Sequence, residues 1–286
     1  MRVVICGSEG QLGSDLVEAF RESGAEVFGF DLDLDITDYA LVMENIPSLK
    51  PDLLVNTAAD LDADGAELNP EPSLRVNFTG NQNLALACQE AGCPLAFVSS
   101  DYVFDGRKGA AYNEFDEPNP QGVYGRAKLA SERYTASVLP RWFVFRTQWL
   151  FGKRGKRNFV KSILRNAREK GALRVVTDEV GTPTYTGDLA RVIRDVCLSG
   201  KYGLYHATNA GVCSRHEFAR QIIEIAGWKD IPVEPIVYED LGLPCPRPPY
   251  SPLDNLNLRL QGFPLARHYL EPLKEYIGWL LESEGF

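Results

Sequence analysis

Short unbroken apolar runs alternate with amphipathic stretches through the first half of this chain. Arg2-Val3-Val4-Ile5-Cys6 stops at Gly7, and a run of that length suits a strand buried on both faces. Residues 12–23 set Leu12, Leu16, Val17, Ala19 and Phe20 at helical spacing before Gly24. That predicts an amphipathic helix with a glycine stop. The alternation continues with a strand at 26–31, a helix at 39–49 that halts near Pro51, and a strand at 52–56. One long helix at 71–91, a strand at 95–99, a helix at 124–139 and a strand at 141–146 follow. Such alternation implies right-handed crossovers and a parallel sheet, so the expected class is α/β.

The second half is less regular. It predicts helices near 158–170, 187–198, 215–226 and 270–283, with a strand at 173–177. The run from Leu243 to Tyr250 holds four prolines. Proline lacks an amide hydrogen, so this run is neither helix nor central strand. It is expected to be an ordered loop over a cleft. The 286 residues allow one large domain or two unequal ones.

Charge and composition narrow the partners. A net charge of -9 argues against broad nucleic-acid binding, which needs a positive surface. An anionic small molecule remains compatible, because a local arginine pair overrides the global sign. None of the six cysteines forms a CxxC pair, and there are only three histidines, so no metal site is predicted. Scattered cysteines suit buried thiols in a reducing cytosol. No apolar stretch approaches membrane-spanning length, and a first strand starting at Arg2 leaves no room for a signal peptide. The expectation is a soluble cytoplasmic protein with no membrane or nucleic-acid partner.

Chemistry enters at the first turn. Gly7, Gly10 and Gly13 follow the first strand directly and open a helix through Gln11 and Leu12. Glycines let the backbone approach a pyrophosphate, and a helix N-terminus offers free N–H groups. Gly13 permits close helix–sheet packing. Asp31 ends the second strand, 18 residues after Gly13. A carboxylate there accepts from ribose hydroxyls and repels a 2′-phosphate. No Arg or Lys lies between Gly24 and Asp38. NADH is therefore the preferred cofactor, with NADPH the alternative. Asp35 and Ile36 border the adenine; Asp33 is read as polar loop, and Glu9 as a solvent-facing anion within the phosphate loop.

A second constellation suits carbonyl reduction. Tyr124 and Lys128 lie i, i+4 on a predicted helix and share a face. A phenol donates the proton that a reduced ketone needs, and a neighbouring ammonium lowers its pKa toward the working range. The lysine also suits the nicotinamide ribose. Ser100 ends the fourth strand, at the sheet edge where α/β proteins place ligands, and its hydroxyl can bond a developing oxyanion. Ser100, Tyr124 and Lys128 are the candidate catalytic residues.

These motifs resemble the extended short-chain dehydrogenase/reductases, and within them the dTDP-4-dehydrorhamnose reductases. The resemblance runs nearly end to end. Its most specific segments are Ser100-Asp101-Tyr102-Val103-Phe104-Asp105-Gly106, Tyr124-Gly125-Arg126-Ala127-Lys128, Arg146-Thr147-Gln148-Trp149 and Gly181-Thr182-Pro183-Thr184-Tyr185. It implies a Rossmann-type doubly wound parallel sheet with a smaller C-terminal α+β substrate domain. The dinucleotide-binding part would span 1–150, with about 173–210 returning to it, and 151–286 would be mainly substrate-binding. It implies reduction of a 4-keto group on a nucleotide-activated deoxysugar, giving dTDP-L-rhamnose. Ala58 and Ala59 would border the cofactor. Tyr102 and Trp149 would line the sugar pocket, and Asn158 and Arg247 would contact the nucleotide or diphosphate. The assembly it suggests is a homodimer.

The chain departs from that family between Asn56 and Glu67. Asp60 stands where many relatives carry Tyr, and Gly65 where they carry Lys. Two alternatives follow. One is reduction of a different 4-ketosugar nucleotide. The other is a non-catalytic subunit resembling the regulatory partner of methionine adenosyltransferase, against which the intact Ser100, Tyr124 and Lys128 argue. Asp15 and Asp188 lie near segments where some relatives hold a divalent metal, but a carboxylate at a helix N-terminus explains Asp188 alone.

Overall fold

The computed structural model describes residues 1–155, 157–284 and 286. Its centre is a six-stranded parallel sheet of β1 (Arg2–Cys6), β2 (Glu26–Phe30), β3 (Leu53–Asn56), β4 (Leu95–Ser100), β5 (Trp142–Thr147) and the strand Gly203–His206. From one edge the order is Gly203–His206, β5, β4, β3, β1, β2. The chain therefore changes direction across the sheet between β1 and β3. Such a switch opens a crevice at the carboxyl ends of the strands, where ligands of this architecture sit.

Burial explains why the apolar runs become strands. Val3, Val4, Ile5, Leu54 and Val55 are wholly inaccessible, as a sheet covered on both faces requires. One face packs on α1 (Gln11–Glu22) through Leu12, Leu16 and Phe20, and on the helix Thr186–Ser199 through Leu189, Ile193 and Val196. The other face packs on α2 (Tyr39–Ser48) and the helix Asn81–Ala91.

The expected single helix over 71–91 is interrupted. Pro70–Leu74 and Asn81–Ala91 are α-helical, and Arg75–Gly80 between them is a wider π turn. Side chains cause the widening. Ser131 donates to the Asn77 carbonyl at 2.7 Å, and the Asn77 amide donates to the Asp60 carbonyl at 2.9 Å. Groups inserted into a helical ladder produce this kind of bulge.

The second unit packs the helices Phe159–Lys170, Arg215–Ile225 and Leu270–Ser283 around Phe151, Phe218 and Tyr276. The strand Leu173–Val176 belongs here, paired in parallel with Val233–Ile236. The return to the central sheet thus begins at Thr186 rather than near 173, because Leu173 and Val175 bury into the second core. The proline-rich run lies against the short strand Val180–Gly181. Its Pro249 carbonyl accepts from the Val180 amide at 2.8 Å, and Cys245 is completely buried.

Candidate active site

The glycine turn is sterically obligatory. Gly7 adopts φ +78°, and a methyl there would meet the Ala58 nitrogen at 2.7 Å. A methyl on Gly13 would overlap the Gly7 carbonyl, so only glycine lets α1 approach β1 this closely. No side chain caps α1 after Gly10, leaving the N–H groups of its first turn available to an anion. Asp31 ties the loop to β2, its carboxylate accepting the Glu9 amide at 3.0 Å. The Glu9 side chain itself is exposed. Asp33 accepts the Asp31 amide at 2.7 Å.

Tyr124 and Lys128 project from the helix Val123–Val138. Glu67 accepts the Val123 amide at 2.5 Å, an external cap for a helix that lacks its own. Lys128 is buried, donates from Nζ to the Val98 carbonyl at 3.0 Å, and lies 4.7 Å above the Phe97 ring. Burial pulls its ammonium down to about 8, opposed by Glu132 one turn along. Glu132 is held in turn by Arg146 at 2.9 and 2.6 Å and by the Ser99 hydroxyl.

The phenol departs from expectation. Burial pushes the Tyr124 pKa up, and the nearby Asp101 and Asp60 carboxylates push the same way against the neighbouring Ser100 hydroxyl. Lys128 does not lower it, because its Nζ is turned to Val98 and stands 5.8 Å from the Tyr124 ring centre. Tyr124 is therefore a neutral phenol across the physiological range, the form that can give a proton. Ser100 donates to Asp101 at 3.0 Å and accepts from the Tyr102 amide at 3.2 Å. Asp101 also accepts from Ser251 at 2.7 Å, and burial raises its carboxyl to about 6.

These groups converge on one cleft of about 1380 Å³. That exceeds the ~300–1,000 Å³ of a single small-molecule site and leaves room for two ligands. One end is formed by Gly7, Gly10, Gln11, Leu12, Gly13 and Asp31, with Asp35, Ile36, Ala58 and Ala59 beside them. The other holds Ser100, Tyr102, Tyr124, Lys128, Trp149 and Arg247. The Tyr102 and Tyr124 rings meet edge-on at 5.4 Å. Trp149 sits at φ +49°, a conformation non-glycine residues rarely adopt, with the Arg215 guanidinium 3.6 Å from its ring centre. Arg247 is already paired, at 2.8 Å, with Asp64 of the divergent loop.

Asn158 does not line this cleft. Its oxygen caps the helix Phe159–Lys170 at the Lys161 amide, and its NH₂ donates to Gln11 at 3.0 Å and Tyr276 at 2.9 Å. The side chain is committed to joining the two units rather than to a ligand. Asp188 is similarly occupied, by Arg191, Arg267 and Asn209. Sequence reasoning missed Asp101, Thr147 and Arg215. Asp101 and Thr147 sit at or beside strand ends, the signal that singled out Ser100. Arg215 carries no such mark.

The arrangement suits a dinucleotide along the glycine turn and a carbonyl compound against Tyr124 and Ser100. A family model described as RmlD substrate binding domain matches residues 1–281. The chain is 38% identical over 278 residues to the dTDP-4-dehydrorhamnose reductase of Mycobacterium tuberculosis, covering 95% of this chain and 91% of that protein. A crystal structure of a dTDP-4-dehydrorhamnose reductase from Clostridium acetobutylicum superposes with a TM-score of 0.94 at 38% identity, covering 98% and 99% of the two chains. The corresponding structure from Bacillus anthracis, in complex with NADP, gives 0.92 at 36% identity, covering 96% and 98%.

Proposed function

Because the chain belongs to the RmlD substrate binding domain family, we propose that it reduces dTDP-4-dehydro-6-deoxy-L-mannose to dTDP-L-rhamnose. It is an NAD(P)H-dependent oxidoreductase of the dTDP-4-dehydrorhamnose reductase kind, acting on a nucleotide-activated ketosugar. The observation that carries this is the meeting of Ser100, Tyr124 and Lys128 in a cleft whose far end is an uncapped glycine turn.

A reduced nicotinamide dinucleotide held along the glycine turn would supply the hydride that the carbonyl carbon needs. Tyr124, kept neutral by burial, gives its proton to the carbonyl oxygen. Ser100 turns its hydroxyl from Asp101 to that oxygen as charge develops. Lys128, one turn away on the same helix face, offers its ammonium to the nicotinamide ribose hydroxyls. Tyr102 and Trp149 offer aromatic faces to the apolar side of the deoxysugar. Arg247 takes the diphosphate, exchanging Asp64 for phosphate oxygens. The setting is cytoplasmic, and the assembly a homodimer.

The test is the fall in NADH absorbance with purified protein and the enzymatically prepared ketosugar. No oxidation while NADH still binds would remove this substrate. A second reading, another 4-ketosugar nucleotide, draws on the cleft-lining Leu61–Asp64 segment within the divergent loop. A panel of ketosugar nucleotides separates the two.

NADH is the proposed cofactor, because Asp31 lies at the ribose end and no Arg or Lys stands between Gly24 and Asp38. Asp31→Ala should raise the NADPH/NADH ratio of kcat/KM by roughly ten-fold, the scale of one charged contact. An unchanged ratio would mean that Asp31 does not read the ribose. A pH dependence also follows. The Lys128 ammonium is charged below about 8 and neutral above, so kcat/KM should fall as pH rises through that value. A profile that stays level to pH 10 would show that the charge on Lys128 is not needed.

A further inference from the structure

Six buried side-chain atoms among the described residues have no hydrogen-bond partner: Asp15 Oδ2, Asn77 Oδ1, Glu114 Oε2, Arg146 Nη1, Thr147 Oγ1 and His206 Nε2. Buried polar groups are normally paired, so each such atom asks for an explanation. Of these six residues, Thr147 alone lines the cleft. It is 4% exposed and ends β5 directly beside Ser100, its register partner at the end of β4. In-register residues of parallel neighbours face the same side, so the hydroxyl stands next to Ser100. The adjoining polar side chains are already spent. Ser100 donates to Asp101, and Gln148 donates to the Ser251 carbonyl at 2.8 Å while accepting the Thr182 amide at 2.9 Å.

Sheet order says what reaches this point. A dinucleotide with its adenosine at Asp31 and its phosphates at Gly7–Gly13 begins over β2 and β1. Continuing across the sheet, it meets β3, then β4, then β5. Its last group is the nicotinamide, whose only polar substituent is a carboxamide. A carboxamide offers both donor and acceptor, and a threonine hydroxyl can meet either. We propose that Thr147 binds the carboxamide of the nicotinamide and so sets the depth and face of the ring beside Ser100. This rests on the dinucleotide reading above.

The experiment is calorimetric titration of wild-type, Thr147→Val and Thr147→Ser protein with NADH and, separately, with ADP-ribose, which lacks the nicotinamide. Valine keeps the shape and the strand preference and removes only the hydroxyl. Thr147→Val should weaken NADH binding by roughly three- to ten-fold, the range for one lost hydrogen bond. ADP-ribose should bind it as it binds wild type, and Thr147→Ser should restore NADH affinity. Unchanged NADH affinity in Thr147→Val, or equal losses for both ligands, overturns the assignment. Should the valine variant not fold, Thr147→Ala is read by the same criteria. Wild-type protein that binds neither ligand would instead defeat the dinucleotide reading itself, and Thr147 with it.

Discussion

Tyr124→Phe should lower turnover of the ketosugar by about 10²–10⁴-fold, the span of a lost general acid, while NADH affinity stays at the wild-type value. The substitution removes one oxygen and leaves the ring, which packs edge-on against Tyr102. Lys128 keeps its bond to the Val98 carbonyl and its place over Phe97, so the neighbouring scaffold does not depend on the phenol. What is lost is the proton that burial keeps on the oxygen. Stopped-flow NADH oxidation beside a binding titration reads both halves. Turnover close to wild type would show that another group donates the proton, with Asp101, whose carboxylate already acts on Tyr124, the candidate.

Glu132→Ala should destabilise the fold by about 3–5 kcal/mol, the cost of breaking a buried ion pair by removing one partner. Glu132 and Arg146 are each less than 10% exposed and make two hydrogen bonds to one another. Arg146 already has one nitrogen without a partner, and its guanidinium lies 5.0 Å from the Phe104 ring centre. Without Glu132 the cation is left in an apolar setting. Urea denaturation gives the loss. Replacing both residues together, Glu132→Leu with Arg146→Met, should recover most of it, because two apolar side chains carry no desolvation cost. A single variant within about 1 kcal/mol of wild type would mean that Arg146 finds water or another acceptor. Glu132 also raises the Lys128 pKa, so the high-pH limb of kcat/KM should move to lower pH in any Glu132 variant that folds.

The amino-acid order by itself determined the local architecture and its chemistry at strand ends. Apolar runs bounded by glycine, proline or polar residues have few ways to bury both faces, so β1, β3 and β4 were legible, and with them Gly7 and Ser100. The i, i+4 spacing of Tyr124 and Lys128 needed only a helix to be meaningful. Where the packing partner is distant in the chain, local pattern carries no information. The π turn at Arg75–Gly80 depends on Ser131 reaching Asn77 across 54 residues. The side-chain amide of Asn158 was spent on Gln11 and Tyr276 by the docking of two units. The protonation of Tyr124 was set by how deeply the cleft buries it, and the expected help from Lys128 vanished when that side chain turned to Val98. Periodicity records how each segment meets its own neighbours. Desolvation, hydrogen bonds between distant segments and the buried unpaired hydroxyl of Thr147 are properties of the assembled volume, and only the tertiary structure decides them.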